Sequence, residues 1–191
     1  MRTPALALLL AAAAAGAQTA PVVPAAKPGD VGRIGLAYAD SGDLDGYRLS
    51  VDAQLIRRFR LHGSFVDASG AAAADDTRAY SLGLSYVLDF GPGKASLGAA
   101  IGTLDGTTYD GDQQQLRAAY AVRSAQGLEA ELSLTHYLNG GAIGDLTAPA
   151  LTLRYTLAEG LGLEASFSSE NTLLGVDTGD GTWSVGVSLS F

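Results

Sequence analysis

The sequence has no cysteine, which excludes disulfides, thiolate metal sites and a cysteine nucleophile. Basic residues are scarce. Twelve Lys and Arg stand against twenty Asp and Glu, for a net charge of −8. A nucleic-acid interface needs a basic face, so that class of partner is excluded. Long apolar runs are also missing beyond Ala15, although 47% of the residues are hydrophobic. A membrane helix needs about 18–20 apolar residues in succession, and no later segment offers them.

What the chain has instead is alternation. From Val31 one pattern recurs about ten times, a stretch with every second residue apolar and then a break. One stretch carries Tyr47, Leu49, Val51, Ala53 and Leu55, another Tyr80, Leu82, Leu84, Tyr86 and Leu88. The last carries Trp183, Val185, Val187, Leu189 and Phe191, with Ser184, Gly186, Ser188 and Ser190 between them. Side chains alternate across a strand, so each stretch has one oily and one wet face. Strands of about nine to eleven residues, tilted, cross a bilayer. A sheet edge in hydrocarbon leaves backbone groups unpaired at several kcal/mol each, so the sheet must close on itself. The expected fold is all-β, an antiparallel up-and-down transmembrane β-barrel of about ten strands. Gly32, Gly35, Ala37 and Ala39 dilute the pattern of the first strand, and eight strands would follow if one hairpin stayed outside lipid.

The N-terminus is different. Arg2, the apolar stretch 6–15 and Ala15-Gly16-Ala17 read as a secretory signal peptide over 1–17, removed on export. Residues 18–30, with Pro21, Pro24 and Pro28, form a flexible lead-in, and 31–191 the barrel.

The breaks alternate in length. Those at 56–58, 89–93, 124–127 and 158–160 are short, and those at 40–46, 67–77, 105–112, 138–147 and 169–181 are long. Short periplasmic turns and long external loops are the barrel pattern. Tyr38, Tyr47, Phe65, Tyr80, Phe167 and Trp183 sit beside the long breaks, and Phe59, Tyr86, Phe90, Tyr155 and Phe191 beside the short ones. These are two aromatic belts at two interfaces.

The inward positions hold nearly all the charge of the strands: Arg48, Asp52, Arg60, His62, Arg117, Arg123, Glu129, Glu131, Arg154 and Glu164, with Arg33 and Lys94. Pairing Leu157 with Leu161 across the turn at 158–160 sets Arg154 opposite Glu164. Pairing Leu55 with Phe59 sets Asp52 opposite His62, with Arg60 diagonal. Arg123 falls near Glu129 and Glu131. Cross-strand opposite charges stabilise a sheet, so a structural ion-pair network is expected, with a solute-selecting constriction as the alternative. Ser81, Gly83, Gly98 and Gly102 leave room for a thin water path at most, since barrels near eight strands are filled by side chains.

The external loops are rich in Asp. Segments such as Asp43-Leu44-Asp45-Gly46 and Asp177-Thr178-Gly179-Asp180-Gly181 carry oxygen ligands but lack calcium-loop spacing, and turn chemistry explains them. No metal site and no cofactor are expected. Two histidines are available as bases. His62 is a lumen residue facing Asp52. The segment from His136 to Asn139 resembles the His-x-Ser-Asn motif of outer-membrane lipid A deacylases. Leu138 stands where their Ser would be, so the nucleophile is missing and no enzyme is expected.

Taken together, 34–191 resembles the small single-chain outer-membrane β-barrel superfamily of Gram-negative bacteria. Residues 44–65 (LDGYRLSVDAQLIRRFRLHGSF) resemble a family of small xanthomonad barrels associated with quorum signalling. The superfamily resemblance implies an outer-membrane location and a last strand, Trp183 to Phe191, similar to the signal read by the barrel-assembly machinery. It implies contact with outer-membrane lipid and lipopolysaccharide, and a monomer is expected. The expected role is structural or interactive, with a closed or nearly closed charged lumen and acidic external loops. A narrow channel, a lipid-modifying enzyme and a soluble periplasmic barrel are the alternatives.

Overall fold

The computed structural model describes residues 31–42, 44–70, 76–140, 144–158 and 160–191. The expected signal peptide and lead-in lie outside the described residues, as does Asp43. The alternating stretches form ten strands: β1 (Gly32–Ser41), β2 (Leu44–Ile56), β3 (Phe59–Gly70), β4 (Thr77–Phe90), β5 (Gly93–Gly106), β6 (Gly111–Arg123), β7 (Leu128–Asn139), β8 (Leu146–Ala158), β9 (Leu161–Ser168) and β10 (Thr182–Ser190). Each pairs with its neighbour in sequence, and β1 pairs with β10, closing the barrel. The strand number is ten rather than eight. The small residues of β1 do not weaken its ladder, because pairing is a backbone property and both of its neighbours are full partners, from Gly32↔Ala53 to Ser41↔Leu44 and from Arg33↔Ser190 to Asp40↔Trp183.

The outer wall is apolar and bare. Leu97, Ile101 and Leu132 are 65%, 70% and 63% exposed, more than a side chain kept from water can be in a soluble domain. In hydrocarbon the same surface is satisfied. The aromatic side chains pair within two levels. At the long-loop end Tyr38 packs on Tyr47 and Trp183 at 5.6 and 5.8 Å, and Phe65 on Tyr80 at 5.1 Å. At the short-turn end Phe59 meets Tyr86 at 5.1 Å and Phe90 meets Tyr120 at 6.3 Å. Such belts mark the two interfaces.

The turns correct two details. Ile56, not Leu55, pairs with Phe59, and Ala158, not Leu157, pairs with Leu161. A register irregularity at Gln54/Ile56 and another at Thr156/Ala158 absorb the extra residue, and below them Asp52↔His62 and Arg154↔Glu164 still face each other. One bulge lets two residues oppose one without shifting the rest of the ladder. At Gly91-Pro92, between the paired Phe90 and Gly93, Gly91 takes φ +57°, which only glycine adopts freely in a two-residue hairpin turn.

At the long-loop end the strands run on past the expected breaks. At the first break the ladder runs on to the paired Ser41 and Leu44, so the expected seven-residue loop at 40–46 is mostly strand. The cause lies inside the barrel. Ala39, Leu44, Val66, Ala68 and Leu104 point inward there and are 1–4% exposed. They have something apolar to pack against, so the ladder that carries them persists beyond the membrane.

Candidate functional site in the barrel lumen

The partner of those residues is the chain's own β9–β10 segment. The sequence predicts an external, solvated loop at 169–181. Its centre instead turns back into the mouth of the barrel, with Leu173, Leu174 and Val176 at 2%, 2% and 0% exposure. Each such side chain removed from water contributes about 1.5–3 kcal/mol, and that gain outweighs the solvation of a short backbone stretch whose polar groups find partners. The tip, with Asp177, Gly179 and Asp180, stays exposed.

Local chemistry shapes the segment. The Asn171 side-chain oxygen accepts from the backbone N–H of Leu173 and Leu174 at 3.0 and 3.2 Å, a turn closed by its own side chain. The Thr182 hydroxyl accepts from Thr172 N–H at 2.8 Å and donates to Glu170 O at 3.1 Å, pinning the base of the loop. Gly175 has φ +72°, and a Cβ there would run into the Tyr137 ring, so this position requires glycine. The wall supplies donors for the inserted carbonyls. Gln113 donates to Leu174 O at 3.0 Å, Asn139 to Gly175 O at 2.9 Å, and the Arg48 guanidinium to Thr172 O and to Leu173 O, the latter at 3.3 Å. Apolar side chains from β1, β2, β3 and β5 pack on the plug, and donors from β2, β6 and β7 hold its carbonyls.

Beneath this plug lies the charged layer. Arg154 Nε donates to Glu164 Oε2 at 2.6 Å, and its Nη1 reaches Glu129 at 2.8 Å and Glu131 at 3.2 Å. Arg117 also binds Glu131, and Arg60 binds Asp52. Arg33 Nη1 approaches Glu129 Oε1 at 3.8 Å. That contact joins β1 to β7, which are not neighbours in the sheet, so the network crosses the interior. His62 stands opposite Asp52 in register, yet the carboxylate is taken by Arg60, and the imidazole lies over Gly83, where a Cβ would collide with it. Arg123 is exposed near the short-turn end and donates to Thr156 Oγ1 at 3.2 Å. Between plug and charges, hydroxyls bridge neighbouring strands: Ser64 with Ser81 at 2.8 Å and Ser166 with Ser184 at 3.2 Å. An enclosed space of about 20 Å³ remains between Arg48, Ser50, Glu164 and Ser184, enough for one water.

The other candidates stand apart. The loop carboxylates accept local bonds: Asp40 from Gly42 N–H at 3.2 Å, Asp177 from Gly179 N–H at 3.0 Å, Asp145 from Asn139 N–H at 3.1 Å. Among the described residues no three or more His, Cys, Asp or Glu are grouped to hold a metal ion. Arg78 lies 3.5 Å from Asp67, both well exposed. His136 shares a hydrogen bond of 2.8 Å with Thr147 on the outward face. Trp183, Val185, Val187, Leu189 and Phe191 all face outward and are exposed. A groove of about 750 Å³ bounded by Leu97, Ala118, Leu132, Pro149 and Phe167 also lies on the outer wall, facing hydrocarbon rather than the charged layer.

Reading alternation alone misses the plug and its socket. Two signals point to it. Leu44, Val66 and Leu104 share parity with the inward charges of their own strands, and Leu173-Leu174-Gly175-Val176 is an apolar run inside a polar break.

A closed ten-stranded barrel, apolar outside and charged within, has the architecture of an integral membrane β-barrel of the outer-membrane type. Solved structures similar to it include porin barrels. The KdgM porin in complex with disordered oligogalacturonate matches with a TM-score of 0.53 at 14% identity, over 83% of this chain and 99% of that chain. The KdgM porin in a second structure gives 0.49 at 10% identity, over 83% and 99%. The NanC porin gives 0.47 at 9% identity, over 84% and 100%. At these identities the likeness is one of fold. No protein-family model matches the sequence and no curated protein matches it, so nothing among them supports the likeness to xanthomonad barrels.

Proposed function

We propose that this protein is an outer-membrane barrel with a sealed lumen, serving a structural or interaction role through its wall and its acidic external rim. One observation carries the reading: Leu173, Leu174 and Val176 are seated in the external mouth, above a layer of ion pairs. Two closures of different chemistry oppose ion flow, an apolar one that excludes water and a charged one with its members mutually neutralised. No activity is assigned to His62, whose imidazole lies over Gly83 in the lumen, or to His136, whose hydroxyl partner Thr147 sits with it on the outward wall. The working partners are outer-membrane lipid and lipopolysaccharide around the wall, and the barrel-assembly machinery reading the last strand. A monomer fits a barrel with no open sheet edge.

The experiment is conductance of the refolded wild-type chain in a planar bilayer. A membrane that stays silent at several hundred millivolts is the expected outcome, and steady single-channel steps would replace this reading with that of a narrow channel. The small inward side chains of Ser81, Gly83, Gly98 and Gly102 are what favour that second reading.

A further inference from the structure

One register row runs through seven consecutive strands: Arg48, Ala37, Gly186, Glu164, Arg154, Glu129 and Arg123. Its last four members alternate in sign. Glu164, Arg154 and Glu129 are joined by direct contacts. Arg48 begins the row three positions from Glu164, and the two residues between are alanine and glycine. Arg33, Arg60, Arg117 and Arg154 each have a carboxylate within 4.0 Å. Arg48 instead donates to two carbonyls of the plug. A guanidinium binds a carboxylate more strongly than a neutral carbonyl.

We propose that the β9–β10 loop is a gate and Arg48 its latch: when the loop withdraws, the guanidinium leaves the Thr172 and Leu173 carbonyls and crosses Ala37 and Gly186 to bind Glu164. The inference rests on the sealed-lumen reading above. Three inter-strand steps separate the two backbones, about 14 Å along the wall and less across its curved interior, a span that a long Arg and a Glu side chain cover between them. Both already line the same enclosed space, with Ser50 and Ser184 as its polar walls. Residues bulkier than Ala37 and Gly186 would stand in the way. The open state thus exchanges two carbonyl bonds for an ion pair, which offsets part of the cost of unseating the plug and makes the loop a two-state element rather than a fixed stopper.

The chain has no cysteine, so a Val176→Cys substitution places the sole thiol at the buried centre of the plug. The full chain is produced in outer membranes of intact cells, and a membrane-impermeant maleimide is added outside. Asp110→Cys, on the exposed β5–β6 loop, sets the rate for an open site. Folding of every variant is checked by its heat-dependent shift on gels. The expected result is slow but measurable labelling of Val176→Cys, well below the Asp110→Cys rate. Adding Glu164→Gln should slow it further, by roughly tenfold, because the open state loses its partner. Adding Glu129→Gln, which also removes a partner of Arg154 but none of Arg48, should not. With Arg48→Gln in place, Glu164→Gln should have no further effect. The proposal is overturned if Val176→Cys never labels, if it labels at the Asp110→Cys rate, or if Glu164→Gln and Glu129→Gln act alike. Steady conductance of the wild type would remove the sealed-lumen reading instead, since labelling reports on the loop alone.

Discussion

Arg154 is the residue on which the lumen's electrostatics converge. Three carboxylates from β7 and β9 surround it, and its side chain is 18% exposed. Removing it takes away the cation that Glu129, Glu131 and Glu164 share and leaves the three carboxylates facing one another. Breaking a buried pair this way costs about 3–5 kcal/mol, less where water enters. Arg154→Ala should therefore lower the urea midpoint of the lipid-inserted barrel clearly below that of Asp110→Ala, whose exposed loop carboxylate contributes within about 0.5 kcal/mol. Equal midpoints would show that the network is solvated and contributes little. The pair Arg154–Glu164 is readable in the sequence, because hairpin register follows from turn length. The bulge at Thr156/Ala158 is not, since a turn absorbing one residue looks in sequence like a turn shorter by one.

At the level of the element, the β9–β10 segment behaves unlike the other external connections. It is the longest described one, between strands of eight and nine residues, and its apolar core lies beneath the rim rather than above it. β8 extends out to Leu146, four residues beyond its last pairing with β9 at Ala150↔Ser168. The short β9 and β10 thus leave a step in the rim through which the loop enters. Pro149 stands at this step, lacking the N–H that an open edge would expose, while Ser168 Oγ donates to its carbonyl at 2.7 Å. Replacing 171–178 by two glycines should fray the outer ends of β2, β3 and β5 but leave the rest of the barrel folded, because the closed ladder below the socket does not depend on the loop. It should raise single-channel conductance from none to discrete steps in a planar bilayer. A folded but silent deletion variant would mean that the charged layer alone closes the lumen.

The whole molecule is ordered in two directions. Radially, the wall separates hydrocarbon from charge by the alternation of side chains. Along the axis, the interior changes from ion pairs near the short turns, through a hydroxyl layer, to an apolar socket at the external mouth. Nitroxide labels at Leu84, Leu132 and Val187 should report an acyl-chain environment with low accessibility to aqueous relaxants, and a label at Ser133 should not share it. Aqueous exposure at all of the first three would remove the membrane assignment itself.

Alternation with a period of two settled, by itself, the class, the membrane, the outward set and most pairings, because strand geometry is local and each hairpin inherits its register from its neighbour. Which way the apolar ends of β2, β3 and β5 would be satisfied was beyond that reach. Leu44, Val66 and Leu104 are oily side chains on the wet face, and a parity rule can only count them as exceptions. Their partner lies far along the chain, in Leu173, Leu174 and Val176, and nothing local joins the two sets. Closure of the barrel brings them within reach, and the exclusion of water from a mouth narrow enough to fill decides that they meet. The seal, its latch residue Arg48 and the row leading down to Glu164 are therefore properties of the assembled barrel rather than of any one segment.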